Sequence, residues 1–193
     1  MAYAVHDDPD CYPGTTVLRN LLDIREQSAL DEAETLLFLL RADEALPKGN
    51  FDAAHLLDIH RHLFQDVFIW AGRPRTVRIG KAGNWFCYPE FITHELGRAF
   101  DEYGPPDAVA ALPFDLFVTQ TTHLVAEINA IHPFRDGNGR TQLTFLSMMA
   151  ANAGYRLDET ILQPDDVLSA MIDSFHGDER PLALLIGKGL SEL

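Results

Sequence analysis

Apolar residues recur every three to four positions along most of the chain, the spacing that places side chains on one face of a helix. The pattern is clearest after residue 139, where it runs through Leu143, Leu146, Met149, Ala150 and Ala153. It predicts helices over residues 15–22, 28–45, 52–65, 89–103, 117–131, 139–153, 164–175 and 178–188. Asp52 is a predicted N-cap, and Pro89 and Pro164 suit a first helical turn. The chain is therefore predicted to be mostly α.

The predicted helix over residues 28–45 has a leucine-rich face. Leu36, Leu37, Leu39 and Leu40 lie close together in the sequence, and acidic residues occupy other positions of the same helix. In an amphipathic helix the apolar face packs inward and the charged face meets solvent. We expect these leucines to lie mostly in the core.

Residues 76–88 are the one stretch with strand character. Val77 and Ile79 lead into the sequence Gly-Lys-Ala-Gly-Asn at residues 80–84, and Trp85 follows directly. A Gly-containing loop between β-prone arms predicts a hairpin. A lone hairpin in a helical domain leaves a free edge, to which an extended peptide can add a strand.

Composition narrows the class of protein. The chain has 193 residues, 47% of them hydrophobic, enough for one globular domain with a sizeable core. A net charge of −14 argues against direct nucleic-acid binding, which needs clustered basic residues. No apolar run approaches the ~18 residues of a membrane span, and the N-terminus lacks a signal-peptide pattern. Cys11 and Cys87 form no disulfide or metal pattern. We expect a cytoplasmic protein without a membrane segment.

The segment from His132 to Arg140, with the sequence His-Pro-Phe-Arg-Asp-Gly-Asn-Gly-Arg, carries the candidate chemistry. It forms the turn between two predicted helices, so its glycines open the second helix. The first turn of a helix has unpaired N–H groups and the positive end of the helix dipole, which together favour an anion. Arg140 is unfavourable at that position unless an anion such as phosphate is bound there. The segment also fits ordinary turn chemistry, because Asp, Gly and Asn are common turn residues.

Two further residues of the segment suit phosphate chemistry. His132 can exchange a proton near neutral pH and is the candidate general base. Asp136 would repel bare phosphate, but a Mg²⁺ ion between the two would make its carboxylate useful, since Mg²⁺ favours one or two carboxylates plus phosphate oxygens.

The segment matches without a gap the signature His-x-Phe-x-(Asp/Glu)-Gly-Asn-Gly-Arg of the Fic family, which the chain therefore resembles. Residues 12–20 are similar to the opening of bacterial Fic toxins. Residues 59–68 and the Trp-Ala-Gly at 70–72 also resemble these toxins. The similarity spans roughly residues 11–190. It implies one compact, mostly α Fic-type domain over residues 1–193, with about seven to eight helices. Residues 1–10 would be a flexible N-terminal segment and residues 76–88 a β-hairpin flap.

The resemblance also implies an activity and a role for each motif residue. Fic proteins transfer AMP from ATP to a hydroxyl group of a target protein. By resemblance His132 is the catalytic base, Asp136 binds Mg²⁺, and Arg140 holds the nucleotide phosphates. The backbone of Gly137, Asn138 and Gly139 would form the anion hole. Phe134 would anchor the loop in the core.

The resemblance implies protein partners as well. The flap would pair with an extended segment of the target, through Val77, Ile79, Lys81 and Trp85. In close relatives the targets include the ATPase subunits of DNA gyrase and topoisomerase IV, and a separate small antitoxin controls the toxin. Residues 28–33 only weakly echo the family's inhibitory motif, because Ala33 stands where Gly or Asn is expected. A separately encoded antitoxin is therefore the favoured control.

Leu143 departs from the family pattern, which usually continues with a second arginine at this position. That arginine holds the terminal phosphate of ATP in the relatives, and a leucine cannot. A cation from elsewhere, such as Arg98 or Arg180, is a candidate replacement. The departure leaves open a Fic-fold transferase with another donor, which would transfer UMP, phosphocholine or a phosphoryl group. A catalytically silent protein-binding module is the third alternative.

Overall fold

The structure is a computed structural model that describes residues 8–81 and 84–193. Within these ranges the chain forms eight α-helices and two small antiparallel sheets. The helices are α1 (Gln27–Ala42), α2 (Ala53–Phe64), α3 (Ile92–Tyr103), α4 (Pro106–Ala110), α5 (Phe114–Ile131), α6 (Asn138–Asn152), α7 (Pro164–Phe175) and α8 (Arg180–Gly189). The strands are β1 (Gly80–Lys81), β2 (Asn84–Trp85), β3 (Tyr155–Leu157) and β4 (Leu190–Glu192). The predicted mostly α fold is confirmed.

Helix α5 lies at the centre of the fold. It packs against α3, α6, α7 and α8, and α6 in turn packs against α2. The buried residues of α5 include Phe117, Leu124, Val125 and Ile128, which occupy more than one side of the helix. A helix that is apolar on several sides is stable only when neighbours cover all of them. The loop from α5 to α6 is therefore held between two firmly packed helix ends.

The helix predicted over residues 15–22 is wrong. The segment is irregular. The side chain of Asn20 forms hydrogen bonds with backbone groups that would pair with one another in a helix. Its amide oxygen accepts from the N–H groups of Leu22 and Ile24, and its amide nitrogen donates to the carbonyls of Leu18 and Ile24. Asn is well suited to satisfy a non-helical backbone in this way. Conversely, the short helix α4 was not predicted, although Pro106 stands in its first turn, where proline is tolerated.

The leucine-rich face of α1 is on the surface, so the expectation that it packs in the core is wrong. Leu36, Leu39 and Leu40 are 59%, 58% and 57% exposed. The buried residues of α1 are Leu30 and Glu34. The segment is a helix, as predicted, but the prediction of its buried face was wrong. Helix α1 turns the carboxylate of Glu34 inward and three leucines outward.

The predicted hairpin is confirmed, with shorter strands than the sequence indicated. Gly80 pairs with Trp85 and Lys81 with Asn84, and the intervening residues 82–83 lie outside the described residues. The pairing of β3 with β4 was not predicted, and it joins the end of α6 to the C-terminal segment. Of the predicted N-terminal segment, residues 1–7 also lie outside the described residues. In the part of the chain that the structure describes, no helix is both long and apolar enough to cross a membrane.

Candidate active site

Two residues in the left-handed backbone region shape the loop between α5 and α6. His132 ends α5 with φ of 50°, and Gly137 is the N-cap of α6 with φ of 77°. A Cβ atom on Gly137 would lie 2.6 Å from the ring of Phe64. Glycine is therefore required at residue 137 both by its backbone angle and by the close approach of α2.

Asn138 closes the loop with its side chain. Its amide oxygen accepts from the N–H of Phe134 at 2.9 Å, and its amide nitrogen donates to the carbonyl of Phe134 at 2.8 Å. Phe134 is 1% exposed. The sequence assigned Asn138 to the anion hole through its backbone and Phe134 to anchoring the loop. The structure adds that the Asn138 side chain closes the loop on the backbone of Phe134, whose ring is buried.

His60 on α2 contacts the loop between α5 and α6. Its Nδ1 accepts from the N–H of Gly72 at 2.9 Å, so its Nε2 carries the proton and donates to the carbonyl of Asp136 at 3.0 Å. Its ring stacks on Phe134 with the centroids 3.8 Å apart. Burial lowers the pKa of His60 to about 3, so the ring is neutral at physiological pH. Sequence reasoning missed this residue, since one of three histidines on a helix carries no signal of a loop contact 76 residues away.

A hydrogen bond to the backbone fixes the tautomer of His132. Its Nδ1 lies 3.1 Å from the carbonyl of Asn129, which can only accept, so Nδ1 carries the proton and Nε2 the lone pair. The imidazole stacks on Phe86 with the centroids 3.8 Å apart and the planes 11° apart. Burial, followed by the positive charges of Arg75 and Lys81, lowers the pKa of His132 to about 3. The imidazole is therefore neutral at neutral pH, and Nε2 is the ring nitrogen that can accept a proton.

Arg140 lies in the first turn of α6, where the sequence predicted a phosphate-binding cation. Its guanidinium contacts the phenyl ring of Phe64 at 4.6 Å and forms a salt bridge with Glu34 of α1. Burial raises the pKa of the Glu34 carboxyl above its usual value, and the nearby Asp136 adds to this, although Arg140 opposes it. Sequence reasoning missed Glu34, because it is one of three acids on α1, with Asp31 and Glu32, and such acids are expected on the solvent face of an amphipathic helix.

Asp136 stands at the rim of the same site. Its Oδ1 accepts from the N–H of Gly137 at 2.6 Å and lies 3.9 Å from the guanidinium of Arg140. The Asp136 side chain is 39% exposed, so the carboxylate can meet a ligand without rearrangement of the core.

An open cavity of about 1320 Å³ lies beside Asp136 and Arg140. Its walls are the N-terminal segment 8–19, one side of α1 and the loop before α6, with Glu34, Asp136 and Arg140 among the lining residues. Ligand pockets are typically ~300–1,000 Å³, so the cavity has room for a nucleotide-sized molecule. The N-terminal segment is tied to the loop by a buried salt bridge between Asp8 and Arg135.

Residues 50–150 match the sequence profile of the Fic/DOC family. The chain is also 54% identical over 182 residues to the probable protein adenylyltransferase y4lH of Sinorhizobium fredii, covering 94% of this chain and 95% of that protein. The chain belongs to the Fic/DOC family. A second relative, the probable protein adenylyltransferase Fic of Escherichia coli, is 34% identical over 189 residues, covering 96% of this chain and 93% of the relative.

The fold agrees with solved members of the Fic/DOC family. The N-terminal Fic domain of a Bartonella quintana effector, solved with bound ADP, superposes with a TM-score of 0.84 at 25% identity, covering 95% of this chain and 94% of that domain. The predicted Fic-type fold is thus confirmed. So is the prediction of an enzyme of the nucleotidyltransferase class, since protein adenylylation is a nucleotidyl transfer.

The cations considered as replacements for the second Fic arginine are held elsewhere. Arg98 donates to three carboxylates, those of Glu95, Glu102 and Glu127. Arg180 pairs with Asp178 on the surface. Leu143 itself is half-buried and packs against the core. The position of the second Fic arginine is therefore occupied here by a leucine that makes apolar contacts.

The flap residues differ in what they present to a partner. Trp85 is 50% exposed, and the guanidinium of Arg78 lies 4.9 Å from its ring. Val77 and Lys81 are half-buried, whereas Ile79 is fully buried and faces the interior. Ile79 is thus covered by the rest of the protein, and Trp85 is the large side chain that β1 and β2 leave accessible.

Proposed function

We propose that the protein transfers AMP from ATP to a hydroxyl side chain of a target protein. The observation that carries this proposal is the loop between α5 and α6, which begins at the neutral His132, with its Nε2 lone pair, and leads into the N-terminus of α6 with its Arg140. Membership of a family with relatives named as probable protein adenylyltransferases supports the same reaction. The ADP bound to the Bartonella quintana Fic domain supports an adenine nucleotide as the donor.

The residues divide the chemistry as follows. The N–H groups of Gly137, Asn138 and Gly139 at the N-terminus of α6 would face the phosphates, once the Gly137 N–H is released from the Asp136 carboxylate, and Arg140 would hold the phosphates with its guanidinium. His132 takes the proton of the target hydroxyl as the oxygen attacks the α-phosphorus in line. The bond from the α-phosphorus to the bridging oxygen breaks, so pyrophosphate leaves and AMP remains on the target. Positioning and charge stabilisation supply most of the rate in such transfers.

Asp136 suits a Mg²⁺ ion that arrives with the nucleotide. Its carboxylate is accessible at the rim of the cavity, and Mg²⁺ is usually held by one or two carboxylates together with phosphate oxygens. Bound Mg²⁺ would neutralise charge on the leaving pyrophosphate.

We further propose that the protein is the toxin of a toxin–antitoxin pair. The target would dock as an added strand on the hairpin of β1 and β2, with Trp85 and Lys81 at the contact. A separate small antitoxin would control the enzyme. The resemblance to Fic toxins favours ATPase subunits of DNA gyrase and topoisomerase IV as targets. Use of cellular ATP favours a cytoplasmic site of action.

The test is transfer of label to proteins of a bacterial lysate. Purified protein is incubated with Mg²⁺ and with ATP labelled at either the α- or the γ-phosphate, beside a His132→Ala variant. Label from α-labelled ATP alone, lost in the variant, is the expected result. Equal labelling by the His132→Ala variant would overturn the proposed mechanism.

A second candidate function rests on Leu143. Without the second arginine, the phosphate-binding site lacks one positive charge. Another donor could therefore bind with a different group at the position that the target hydroxyl attacks. The mass added to the modified protein separates AMP from UMP, phosphocholine and phosphate. A silent binding module, the remaining alternative, requires that His132→Ala leaves both partner binding and cellular effect unchanged.

A further inference from the structure

Arg75 is a buried arginine that joins the two arms of the flap to the end of α5. It is 4% exposed. Its Nη1 donates to the carbonyl of Val77 at 2.7 Å and its Nη2 to the carbonyl of Cys87 at 2.6 Å. The same guanidinium donates to the carbonyl of His132 through Nε at 2.8 Å and to that of Ile131 through Nη2 at 3.1 Å. One side chain thus holds four carbonyl groups from three segments of the chain.

The chemistry of these contacts requires an arginine. The last carbonyls of a helix have no partner within the helix, and the helix end is partially negative, so a cation there is favourable. The planar guanidinium presents five N–H donors in a fixed fork, which serves carbonyls on both sides at once. A lysine would keep the charge but could not reproduce this arrangement.

Other contacts connect the same segments. The backbone N–H of Arg75 donates to the carbonyl of Pro133 at 2.8 Å, and that of Cys87 to the carbonyl of Ala130 at 3.4 Å. Phe86, between the flap strand and Cys87, stacks on the imidazole of His132. The two ends of the flap therefore contact the end of α5 and His132 in three ways: through the backbone, through the ring of Phe86 and through the guanidinium of Arg75.

We propose that Arg75 is a positioning residue that fixes the register between the flap and His132, so that a peptide docked on the hairpin presents its hydroxyl to Nε2. This inference rests on the proposed function. The guanidinium acts through the carbonyls at the base of the flap and at the end of α5, and Arg75 is not among the residues that line the cavity beside Asp136 and Arg140. Its positive charge has a second effect, since it helps to keep the imidazole of His132 neutral.

The first experiment compares Arg75→Lys and Arg75→Gln with the wild type. Arg73→Gln is the matched control, because Arg73 is exposed and two residues away. Both Arg75 variants are expected to transfer labelled AMP to lysate proteins about 10–100-fold more slowly, in line with loss of a 1 Å placement. The affinity for AMPPNP, a non-hydrolysable ATP analogue, is expected to stay within about twofold, because Arg75 lies outside the phosphate site.

The pH profile separates placement from charge. Arg75→Gln removes one positive charge beside His132, but burial, the larger cause of the lowered pKa, still keeps the imidazole neutral between pH 5 and pH 8. Both variants are therefore expected to lose rate by the same factor at every pH from 5 to 8, and a loss confined to the acid side would contradict a positioning role. Rates of both variants equal to that of Arg73→Gln, or a loss confined to AMPPNP affinity, would overturn the proposal.

A second measurement needs no variant and no activity. Native-state hydrogen exchange on the wild-type protein reports whether the flap and the loop open together. The amides of Arg75, Cys87 and His132 are expected to exchange through one shared opening, with equal free energies and equal denaturant dependence. Independent opening of Cys87 and His132 would refute the inference, and a wild type without transfer activity would refute only the proposed function.

Discussion

The carboxylate of Glu34 on α1 forms a salt bridge with the guanidinium of Arg140 on α6, across 106 residues of sequence. Arg140 is the residue that we propose to hold the nucleotide phosphates. An internal acid therefore occupies the position at which a phosphate would bind, and an incoming nucleotide must compete with it for the arginine.

Glu34→Gln is expected to tighten nucleotide binding. The amide has the size of the carboxylate but no charge, so it neither neutralises Arg140 nor repels phosphate. Loss of about 1 kcal/mol of opposing interaction corresponds to roughly fivefold in affinity. Titration calorimetry with AMPPNP measures the change. Glu32→Gln, at an exposed position of the same helix, serves as the control. Unchanged or weaker binding by Glu34→Gln would show that Glu34 does not compete with the nucleotide.

The transfer rate is expected to persist well below pH 6.5. The base must be neutral to accept a proton, and burial holds the pKa of His132 at about 3 rather than near its usual value. Protonation of His132 therefore occurs only in strong acid. Initial rates with α-labelled ATP between pH 5 and pH 8 test this, at each pH where circular dichroism shows the folded protein. An acid limb centred near pH 6.5 would contradict the buried, neutral state of His132.

Stability is expected to fall as the pH decreases below about 6.5. His60 and His132 have lowered pKa values in the folded protein, whereas both take up protons near pH 6.5 when unfolded. The unfolded state then binds more protons, so the free energy of unfolding decreases by up to ~1.4 kcal/mol per pH unit for each histidine. Urea unfolding at pH 5, 6 and 7 measures the slope. His60→Ala should remove about one histidine's share of it and, by leaving a cavity, lower stability by roughly 3 kcal/mol.

Gly137→Ala is expected to destabilise the protein and impair nucleotide binding. The backbone angle at residue 137 is unfavourable for alanine, and the new Cβ would meet the ring of Phe64 at 2.6 Å. A loss of at least ~1 kcal/mol follows from the strain alone. Gly97→Ala in the middle of α3 is the matched control, since a Cβ there meets nothing within 4 Å and alanine favours helix. Thermal unfolding and AMPPNP titration measure both effects, and equal behaviour of the two variants would contradict the close-approach argument.

Local sequence was a good guide where a signal lies within a few residues. Asp52 caps α2 by accepting from the N–H of His55, and α7 spans the predicted residues 164–175. The motif loop was placed between two helices because its glycines and Pro133 interrupt the helical period. The helix predicted near Asn20 failed, since the side chain of Asn20 supplies the hydrogen bonds that the period assigned to a helix.

By itself, the sequence determined the helical class, the hairpin and the nine-residue motif with its candidate base, because these depend on local spacing and on residue chemistry. Only the tertiary structure decided which face of α1 is buried, that Glu34 meets Arg140, and that Arg75 and His60 hold the motif loop. Those contacts join residues between 56 and 106 positions apart. Their partners are mostly backbone carbonyls, which every residue carries, so no pattern of side chains along the chain distinguishes them.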